Sequence, residues 1–189
     1  MFRPSLLRAG LLCGGLALAA GAPVRTVDDV ALNPFRPGGA VGLLFFVLTD
    51  CPISNSYAPE IQRICKQYAG KGVSCTLVYE DAKIQANAVR QHMKDYGHTA
   101  ANLAAVIDAD RAIAHQARAT VTPEAALIDS KGRPQYHGRI DNFYAALGKT
   151  RRNVTEHDLT DAIDAVLAGK AVAYPETKPL GCFITPADL

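Results

Sequence analysis

Hydrophobic residues form one nearly unbroken run, VGLLFFVL at Val41–Leu48, after a stretch that is rich in proline and glycine. A run of this length with many branched and aromatic residues is typical of a central strand that is covered on both faces of a sheet. The run ends at Thr49, Asp50 and Cys51, and the next residue is Pro52, which is favoured in the first turn of a helix. The pattern therefore predicts that Cys51 lies where a buried strand turns into a helix.

The predicted helix carries apolar residues at helical spacing and ends at a pair of glycines. These positions are Ile61, Ile64, Cys65 and Tyr68, followed by Gly70 and Gly72.

The rest of the chain alternates between strand patterns and helix patterns. The predicted elements are strand Val73–Tyr79, helix Ala82–Tyr96, strand Ala104–Ile107, helix Arg111–Ala119, a hairpin of Ala125–Ile128 and Gln135–Gly138, and a last helix that ends before Gly169. This last helix begins at a capping-box-like pair, Thr155 and Asp158. The polar segment at 140–153, between the hairpin and the last helix, is predicted to be a loop.

This order of elements combines parallel crossovers with an antiparallel hairpin at the end of the sheet. It predicts the α/β class and a thioredoxin-like fold, with a central mixed β-sheet flanked by helices and a C-terminal tail that carries Cys182. We expect three segments: a signal peptide at 1–22, a thioredoxin-like domain at 23–170 and a proline-rich tail at 171–189.

The N-terminus has the pattern of a secretory signal. Arg3 and Arg8 provide the positive charge, an apolar run extends from Ala9 to Ala20, and small residues continue to Ala22. The pattern predicts an exported protein, periplasmic or secreted. Two alternatives remain: a lipoprotein anchored through Cys13, and an uncleaved signal segment that would be the protein's only attachment to a membrane.

Length and charge narrow the class of protein. The 189 residues suit one domain, and Lys and Arg total 20 against 18 Asp and Glu. Removal of the predicted signal segment takes away two arginines and no acidic residue, so the remaining chain is formally neutral. Neutrality without a basic cluster argues against a nucleic-acid partner, because phosphate binding depends on clustered Lys and Arg.

Four cysteines lie outside the predicted signal segment, and four cysteines allow three full pairings. Export would place them in a compartment where disulfides persist. Cys65 belongs to the apolar stripe of its helix and Cys75 to the interior of a strand, so both are expected to be inert buried thiols. A disulfide between these two is the alternative.

Cys51 occupies the position where physical chemistry favours a reactive thiol. The free N–H groups and the positive dipole end of a helix N-terminus stabilise a thiolate, which is the nucleophilic form of cysteine. We therefore expect a lowered pKa for Cys51. The neighbouring carboxylate of Asp50 acts in the opposite direction.

Three segments carry a resemblance to a known family: LTDCPISNSYAPEI around Cys51, VTPEAALIDSKG about seventy residues later, and the closing GCFI. Together they resemble thioredoxin-like redoxins of the alkyl hydroperoxide reductase and thiol-specific antioxidant (AhpC/TSA) family. The resemblance implies an oxidoreductase with Cys51 as catalytic residue, a cis peptide bond at Pro123, and a backbone edge at Thr122 that binds a peptide or thiol. Ser54 and Asn55 match the same family segment and are candidate substrate-binding residues.

The active-site segment also departs from the better known patterns. The second cysteine of the CxxC motif of thioredoxins is replaced by Ser54, and Thr49 lies two residues before Cys51, whereas peroxiredoxins place a threonine three residues before. A single thiol needs a second sulfur to complete a redox cycle, and Cys182 on the tail is the internal candidate. A permanent Cys51–Cys182 disulfide that holds the tail is the alternative.

These residues leave two classes of function open. The first is a thiol-disulfide oxidoreductase or thiol peroxidase, whose partner is a protein thiol, a protein disulfide or a hydroperoxide. The second is a non-catalytic module that binds copper or a peptide in the same cleft, with Cys51, Cys182 and His137 as conceivable soft ligands. No cofactor or dedicated metal site is predicted, since the five histidines lack metal-binding spacing and are expected at the surface. Ser54 is expected to donate its hydroxyl to the Cys51 sulfur or to cap the first helical turn.

Overall fold

The structure is a computed structural model that describes residues 22–184. The predicted signal segment, apart from Ala22, and the end of the predicted tail lie outside these residues, so the three-segment division stays a prediction. Within 22–184, no helix combines the length and apolar character that crossing a bilayer requires.

The chain forms eleven strands and five α-helices within the described range. The strands are β1 (Val24–Arg25), β2 (Ala31–Leu32), β3 (Val41–Val47), β4 (Val73–Tyr79), β5 (Leu103–Ile107), β6 (Val121–Thr122), β7 (Glu124–Asp129), β8 (Pro134–Gly138), β9 (Tyr144–Ala146), β10 (Lys149–Thr150) and β11 (Cys182–Phe183). The helices are α1 (Pro52–Ser56), α2 (Ala58–Tyr68), α3 (Ala86–Asp95), α4 (Ala112–Ala117) and α5 (Asp158–Leu167).

Five strands form the central sheet, in the spatial order β5-β4-β3-β7-β8. The pairs β3–β4 and β4–β5 are parallel, whereas β3–β7 and β7–β8 are antiparallel. The sheet is therefore mixed, with a hairpin at one end, as the order of elements predicts. β3 is the middle strand, so Cys51 follows the end of the central strand of the sheet.

Alternate residues of β3 serve two separate cores, because successive side chains of a strand point to opposite faces. Leu43 and Phe45 belong to the larger core, which α2, α3 and α5 help to fill. Leu44 and Phe46 belong to the smaller core on the other face, together with residues of α4. All seven β3 residues are buried, which confirms the interpretation of the apolar run as a strand covered on both faces.

The helix that follows Cys51 is not continuous, contrary to the sequence prediction. It breaks at Tyr57 into the short α1 and the longer α2. Pro59 lies in the first turn of α2. Because proline has no backbone N–H, the hydrogen bonds of α1 cannot continue through this position. The predicted helix at 82–96 also begins later, at Ala86.

Two predictions for the C-terminal half are wrong. Thr155 and Asp158 form no capping box: the Thr155 amide donates to Asn142, Asp158 binds Arg139, and α5 begins after His157 without a side-chain cap. The segment at 140–153 is not only loop, since it contains the β9–β10 pair. A tilted contact between Tyr144 and Tyr57, with ring centroids 5.8 Å apart, holds this hairpin beside the α1–α2 break.

The two cysteines of the core are free and fully buried, which confirms inert burial rather than a disulfide between them. A hydrogen bond between Cys65 and Cys75, together with burial, raises the pKa of Cys75. The expectation that the histidines lie at the surface is wrong for His98, which is 7% exposed.

Candidate functional site

The sulfur of Cys51 lies at the N-terminus of α1, as the sequence predicts. Cys51 is the N-cap residue of this helix, and its Sγ accepts a hydrogen bond from the Ser54 backbone N–H at 3.4 Å. The residue is 1% exposed, and its Sγ also lies 3.2 Å from the carbonyl oxygen of Thr122. The helix N-terminus thus provides a donor for negative charge on this sulfur, while the neighbouring Asp50 is exposed to solvent.

Cys51 is bonded to Cys182 in a disulfide whose Cα atoms are 6.2 Å apart. This separation lies within the range of about 4.4–6.8 Å that a disulfide can bridge. The bond links residues that are 131 positions apart in the sequence. Both hypotheses for this pair, a resolving thiol and a permanent disulfide, require that the two sulfurs lie close together.

The tail reaches Cys51 by pairing with the short strand β6. In this antiparallel pair Cys182 lies opposite Thr122, and Phe183 lies opposite Val121. The peptide bond between Thr122 and Pro123 is cis, as the family resemblance implies. The backbone edge that the resemblance implies for a bound peptide is present, and the chain's own tail occupies it.

Glu124 holds this edge in place and was not predicted from the sequence. Its buried carboxylate accepts hydrogen bonds from the Thr120 N–H at 2.8 Å and the Val121 N–H at 3.3 Å, and its other oxygen lies 3.5 Å from His137 Nδ1. The only sequence signal for this role is its place directly after Pro123 at the start of a strand. The carboxylate thus serves as the acceptor for two backbone N–H groups, a role that a neighbouring strand would have in the interior of a sheet.

Neither alternative for the Ser54 hydroxyl is borne out: it does not bond to the Cys51 sulfur, which accepts from the Ser54 backbone N–H, and it does not cap the first helical turn. The hydroxyl oxygen is buried and has no hydrogen-bond partner among residues 22–184. Ser54 therefore acts on the sulfur through its main chain.

Asn55 links the Cys51 loop to α3. Its side-chain Nδ2 donates to the Thr49 carbonyl at 2.8 Å, and its Oδ1 lies 3.0 Å from His92 Nε2. The other ring nitrogen of His92 lies 2.9 Å from the hydroxyl of Tyr79. Burial lowers the pKa of His92, so the ring is neutral near pH 7. Asn55 lies in a segment that carries the family resemblance, but nothing in the sequence indicates its partner, which lies 37 residues away.

A buried acidic pair lies at the ends of β4 and β5, next to the end of β3. The Glu80 backbone N–H donates to Val47 O, and the Asp108 N–H donates to Tyr79 O. Burial, and next the nearby charge of Asp108, raise the pKa of Glu80 to about 9, while the guanidinium of Arg111 at 3.7 Å acts against this shift. Glu80 is thus protonated at neutral pH. Residue type alone does not indicate this.

A cavity of about 300 Å³ opens beside Pro123 and the tail residues before Cys182. Its charged lining comes from Arg139, Arg151, Lys178 and Asp141. The Tyr57 hydroxyl donates to Asp141 at 2.7 Å at the wall of this cavity. Because Lys178, Pro179 and Leu180 form one wall, the cavity has this shape only while the tail lies on the β6 edge.

No set of three His, Cys, Asp or Glu side chains within 22–184 is arranged to hold a metal ion. The three soft ligands considered for copper do not form a metal site. The sulfurs of Cys51 and Cys182 are bonded to each other, and His137 lies between Glu124 and Glu176. This arrangement does not favour the copper-binding alternative.

No family model matches the chain, and no curated protein sequence matches it. Several solved structures are similar to this chain. A hypothetical protein from Sinorhizobium meliloti has a TM-score of 0.72 and 25% identity, with 87% of this chain and 91% of that chain covered. An uncharacterised conserved protein from Geobacillus kaustophilus has a TM-score of 0.69 and 21% identity, with 87% and 88% covered. A secreted disulfide oxidoreductase from Mycobacterium tuberculosis, homologous to Escherichia coli DsbE, has a TM-score of 0.51 and 16% identity, with 78% and 95% covered.

These similarities confirm the predicted α/β fold: the chain has a thioredoxin-like fold, with a central mixed sheet flanked by helices and a tail that carries Cys182. They do not extend to the alkyl hydroperoxide reductase family, because no family model matches. That finer assignment stays a prediction.

Proposed function

We propose that this protein is an exported thiol-disulfide oxidoreductase in which Cys51 is the nucleophile and Cys182 is the resolving thiol. One observation carries the proposal: the Cys51 sulfur caps the N-terminus of α1, where it accepts a hydrogen bond from the Ser54 N–H, and it is bonded to a cysteine from the tail. A disulfide between a helix-capping sulfur and a second sulfur is the oxidised form that such an exchange requires.

In the reduced protein the α1 N-terminus favours the thiolate of Cys51 over the thiol. The Ser54 N–H supplies one direct hydrogen bond to that charge. The thiolate exchanges with a partner disulfide to form a mixed disulfide, and Cys182 then displaces the partner from Cys51.

The other candidate site residues divide into two groups in this proposal. Thr122 and Pro123 shape the edge along which the partner's backbone binds. Ser54 and Asn55 act on Cys51 and its loop rather than on the partner, because their polar contacts run to Cys51, Thr49 and His92.

The partner is a protein thiol or disulfide, and the compartment is periplasmic or extracellular. Two observations support export: the signal-like pattern at 1–22, and the likeness of the fold to a secreted disulfide oxidoreductase of Mycobacterium tuberculosis. A disulfide such as Cys51–Cys182 also persists best in an oxidising compartment.

A hydroperoxide is an alternative oxidant for the same thiolate, and it would make the protein an antioxidant peroxidase. Attack on a peroxide would give a Cys51 sulfenic acid, which Cys182 would convert into the same disulfide. Since both routes end at one bond, only the rate with each oxidant distinguishes them.

The test measures alkylation of Cys51 in the reduced protein across pH, with Cys51→Ser as the blank. We expect an apparent pKa below the free-cysteine value of about 8.5, together with rapid reduction of a disulfide-bonded peptide that Cys51→Ser abolishes. An apparent pKa at or above that value, with no reaction towards the peptide, would remove the proposal. Faster oxidation by hydrogen peroxide than by the peptide would establish the peroxidase alternative instead.

A further inference from the structure

Two sets of backbone hydrogen bonds attach residues 175–184 to the domain, and only the second lies beside a disulfide. In the first set, the N–H of His137 donates to Pro175 O at 3.0 Å, and the N–H of Thr177 donates to His137 O at 3.2 Å. The Thr177 hydroxyl also lies 2.6 Å from the Tyr136 hydroxyl and accepts the Arg139 N–H at 3.1 Å. This anchor on β8 is independent of the redox state of Cys51.

The second attachment, residues 181–184 on β6, depends on the disulfide. Apart from that bond it consists of the short β6–β11 pairing, a hydrogen bond from the Ile184 N–H to Thr120 O at 3.0 Å, and the partly buried Ile184 side chain, which packs against the smaller core. The Phe183 side chain is 81% exposed and adds little packing. A few backbone hydrogen bonds and one partly buried side chain contribute little net free energy, whereas ordering several residues costs entropy at each of them.

We propose that the segment at 178–184, which we name the strap, is a redox-controlled competitor for the partner-binding edge, so that the protein works as a reductant of partner disulfides. The strap covers the edge while Cys51 and Cys182 are bonded, and it leaves the edge when they are reduced. Only the reduced form then presents both the thiolate and the free edge. This proposal rests on the proposed function. It adds the direction of electron transfer and the way in which access to the edge is controlled.

The reaction is an exchange of one disulfide for another. The Cys51 thiolate attacks one sulfur of a partner disulfide, which forms a Cys51–partner disulfide and releases the other sulfur as a thiolate that takes up a proton. Cys182 then loses its proton and attacks the Cys51 sulfur, which re-forms the internal disulfide and releases the second partner thiol. Two electrons pass from the Cys51–Cys182 pair to the partner, and an external dithiol reductant returns them.

The strap gives Cys182 a second task in this cycle. When Cys182 attacks, the strap re-forms its antiparallel pairing with Thr122 and displaces the backbone of the bound partner from that residue. The anchor at Thr177 keeps Cys182 close throughout, because only a few residues separate the two. Resolution of the mixed disulfide and release of the partner are thus one event.

Gly181 makes the competition testable without a change in either sulfur. A Cβ at this position would overlap the carbonyl oxygen of Thr122 and lie 3.2 Å from the nitrogen of Pro123. Gly181→Ala therefore obstructs the return of the strap to the edge. Gly38→Ala is the matched control, because a Cβ at Gly38 has no atom within 4 Å.

The experiment uses the full chain and a fluorescent peptide with the sequence of residues 178–184, whose cysteine is a mixed disulfide with thionitrobenzoate. Attack by Cys51 releases the coloured thionitrobenzoate thiolate, and return of the strap then releases the peptide, which fluorescence anisotropy follows. We expect the first step to be similar in the reduced wild type, Gly181→Ala and Gly38→Ala. Peptide release should be about tenfold slower in Gly181→Ala alone, and Cys182→Ser should retain the peptide.

Hydrogen exchange of the amides at 181–184 provides a second readout that needs no substrate. We expect protection in the oxidised protein and its loss on reduction. Peptide release from Gly181→Ala at the wild-type rate, or a strap that stays protected after reduction, would overturn the strap proposal while the oxidoreductase assignment stands. Absence of the first step in the reduced wild type would instead remove the proposed function, and hydrogen exchange would still decide whether the strap moves.

Discussion

His92 Nε2 lies 3.0 Å from Asn55 Oδ1, and this contact connects α3 to the loop that carries Cys51. The direction of the hydrogen bonds follows from the other end of the Asn55 amide. Since Nδ2 donates to the Thr49 carbonyl, Oδ1 is the acceptor, and His92 Nε2 must carry the proton. Nδ1 is then free to accept from the Tyr79 hydroxyl at 2.9 Å.

Replacement of Asn55 by alanine should make Cys51 less reactive. Without the amide, the Thr49 carbonyl loses its hydrogen bond and the loop is less well fixed against the start of α1. We expect the apparent pKa of Cys51 to rise and its alkylation rate at neutral pH to fall by about two- to tenfold. Stopped-flow alkylation of the reduced protein across pH measures both.

Asn87→Ala is the matched control, because the Asn87 side chain is exposed and its oxygen accepts from the amide of the next residue, Ala88, rather than from the Cys51 loop. If Asn55→Ala and Asn87→Ala gave the same pH profile as the wild type, the contact would have no influence on the thiolate.

Reduction of the Cys51–Cys182 disulfide should lower the free energy of unfolding. The bond links residues 131 positions apart, and a loop of this length gives a chain-entropy contribution of up to about 5 kcal/mol. We expect a measured loss of about 2–4 kcal/mol in guanidinium unfolding, because the disulfide is near the end of the chain and the reduced tail keeps its anchor at Thr177. Cys182→Ser should unfold identically with and without reductant, since Cys65 and Cys75 are already free thiols.

Glu80→Gln should stabilise the protein relative to the wild type by an amount that grows as the pH rises from about 5 towards 9. The pKa of Glu80 is about 9 in the folded protein, against about 4.5 for an exposed glutamate, so between these values the folded state binds more protons than the unfolded state. Stability from this group is therefore complete below about pH 4.5 and is lost as the pH rises towards 9. Compared with the wild type, the variant should gain on the order of 3 kcal/mol between about pH 5 and pH 8.

Denaturant unfolding of both proteins at several pH values measures this difference. A constant difference across that range would mean that Glu80 is ionised in the folded protein and that its burial has little effect.

His98→Phe should weaken the acid sensitivity of the protein. Burial, and next the neighbouring His92, lower the pKa of His98 to about 4, so the unfolded state binds more protons between about pH 4 and 6.5. Stability from the neutral ring is therefore complete above about pH 6.5 and is lost as the pH falls towards 4. The wild type should lose up to about 3 kcal/mol more than the variant over this range.

Thermal unfolding from about pH 7 down to pH 4 provides the comparison, and His157→Phe serves as control because His157 is exposed. Parallel curves for the wild type and His98→Phe would contradict the shifted titration.

The elements that the sequence predicted best are those with a strong local pattern. The apolar run at 41–48 became β3, the strand at Val73–Tyr79 has the predicted bounds, and the hairpin around the turn after Asp129 formed where expected. Prediction failed where a tertiary contact outweighed local polarity. The segment with Tyr144 is polar, but its packing against Tyr57 stabilises a hairpin there.

The sequence by itself determined that Cys51 lies between a buried strand and a helix, because hydrophobic periodicity and the preference of proline for a first turn are properties of neighbouring residues. Only the tertiary structure decided that Cys182 bonds to Cys51, that the tail covers Thr122, and that His92 holds Asn55. These pairs are 131, 60 and 37 positions apart in the chain, and no local preference specifies which distant surfaces the folded sheet and helices bring together.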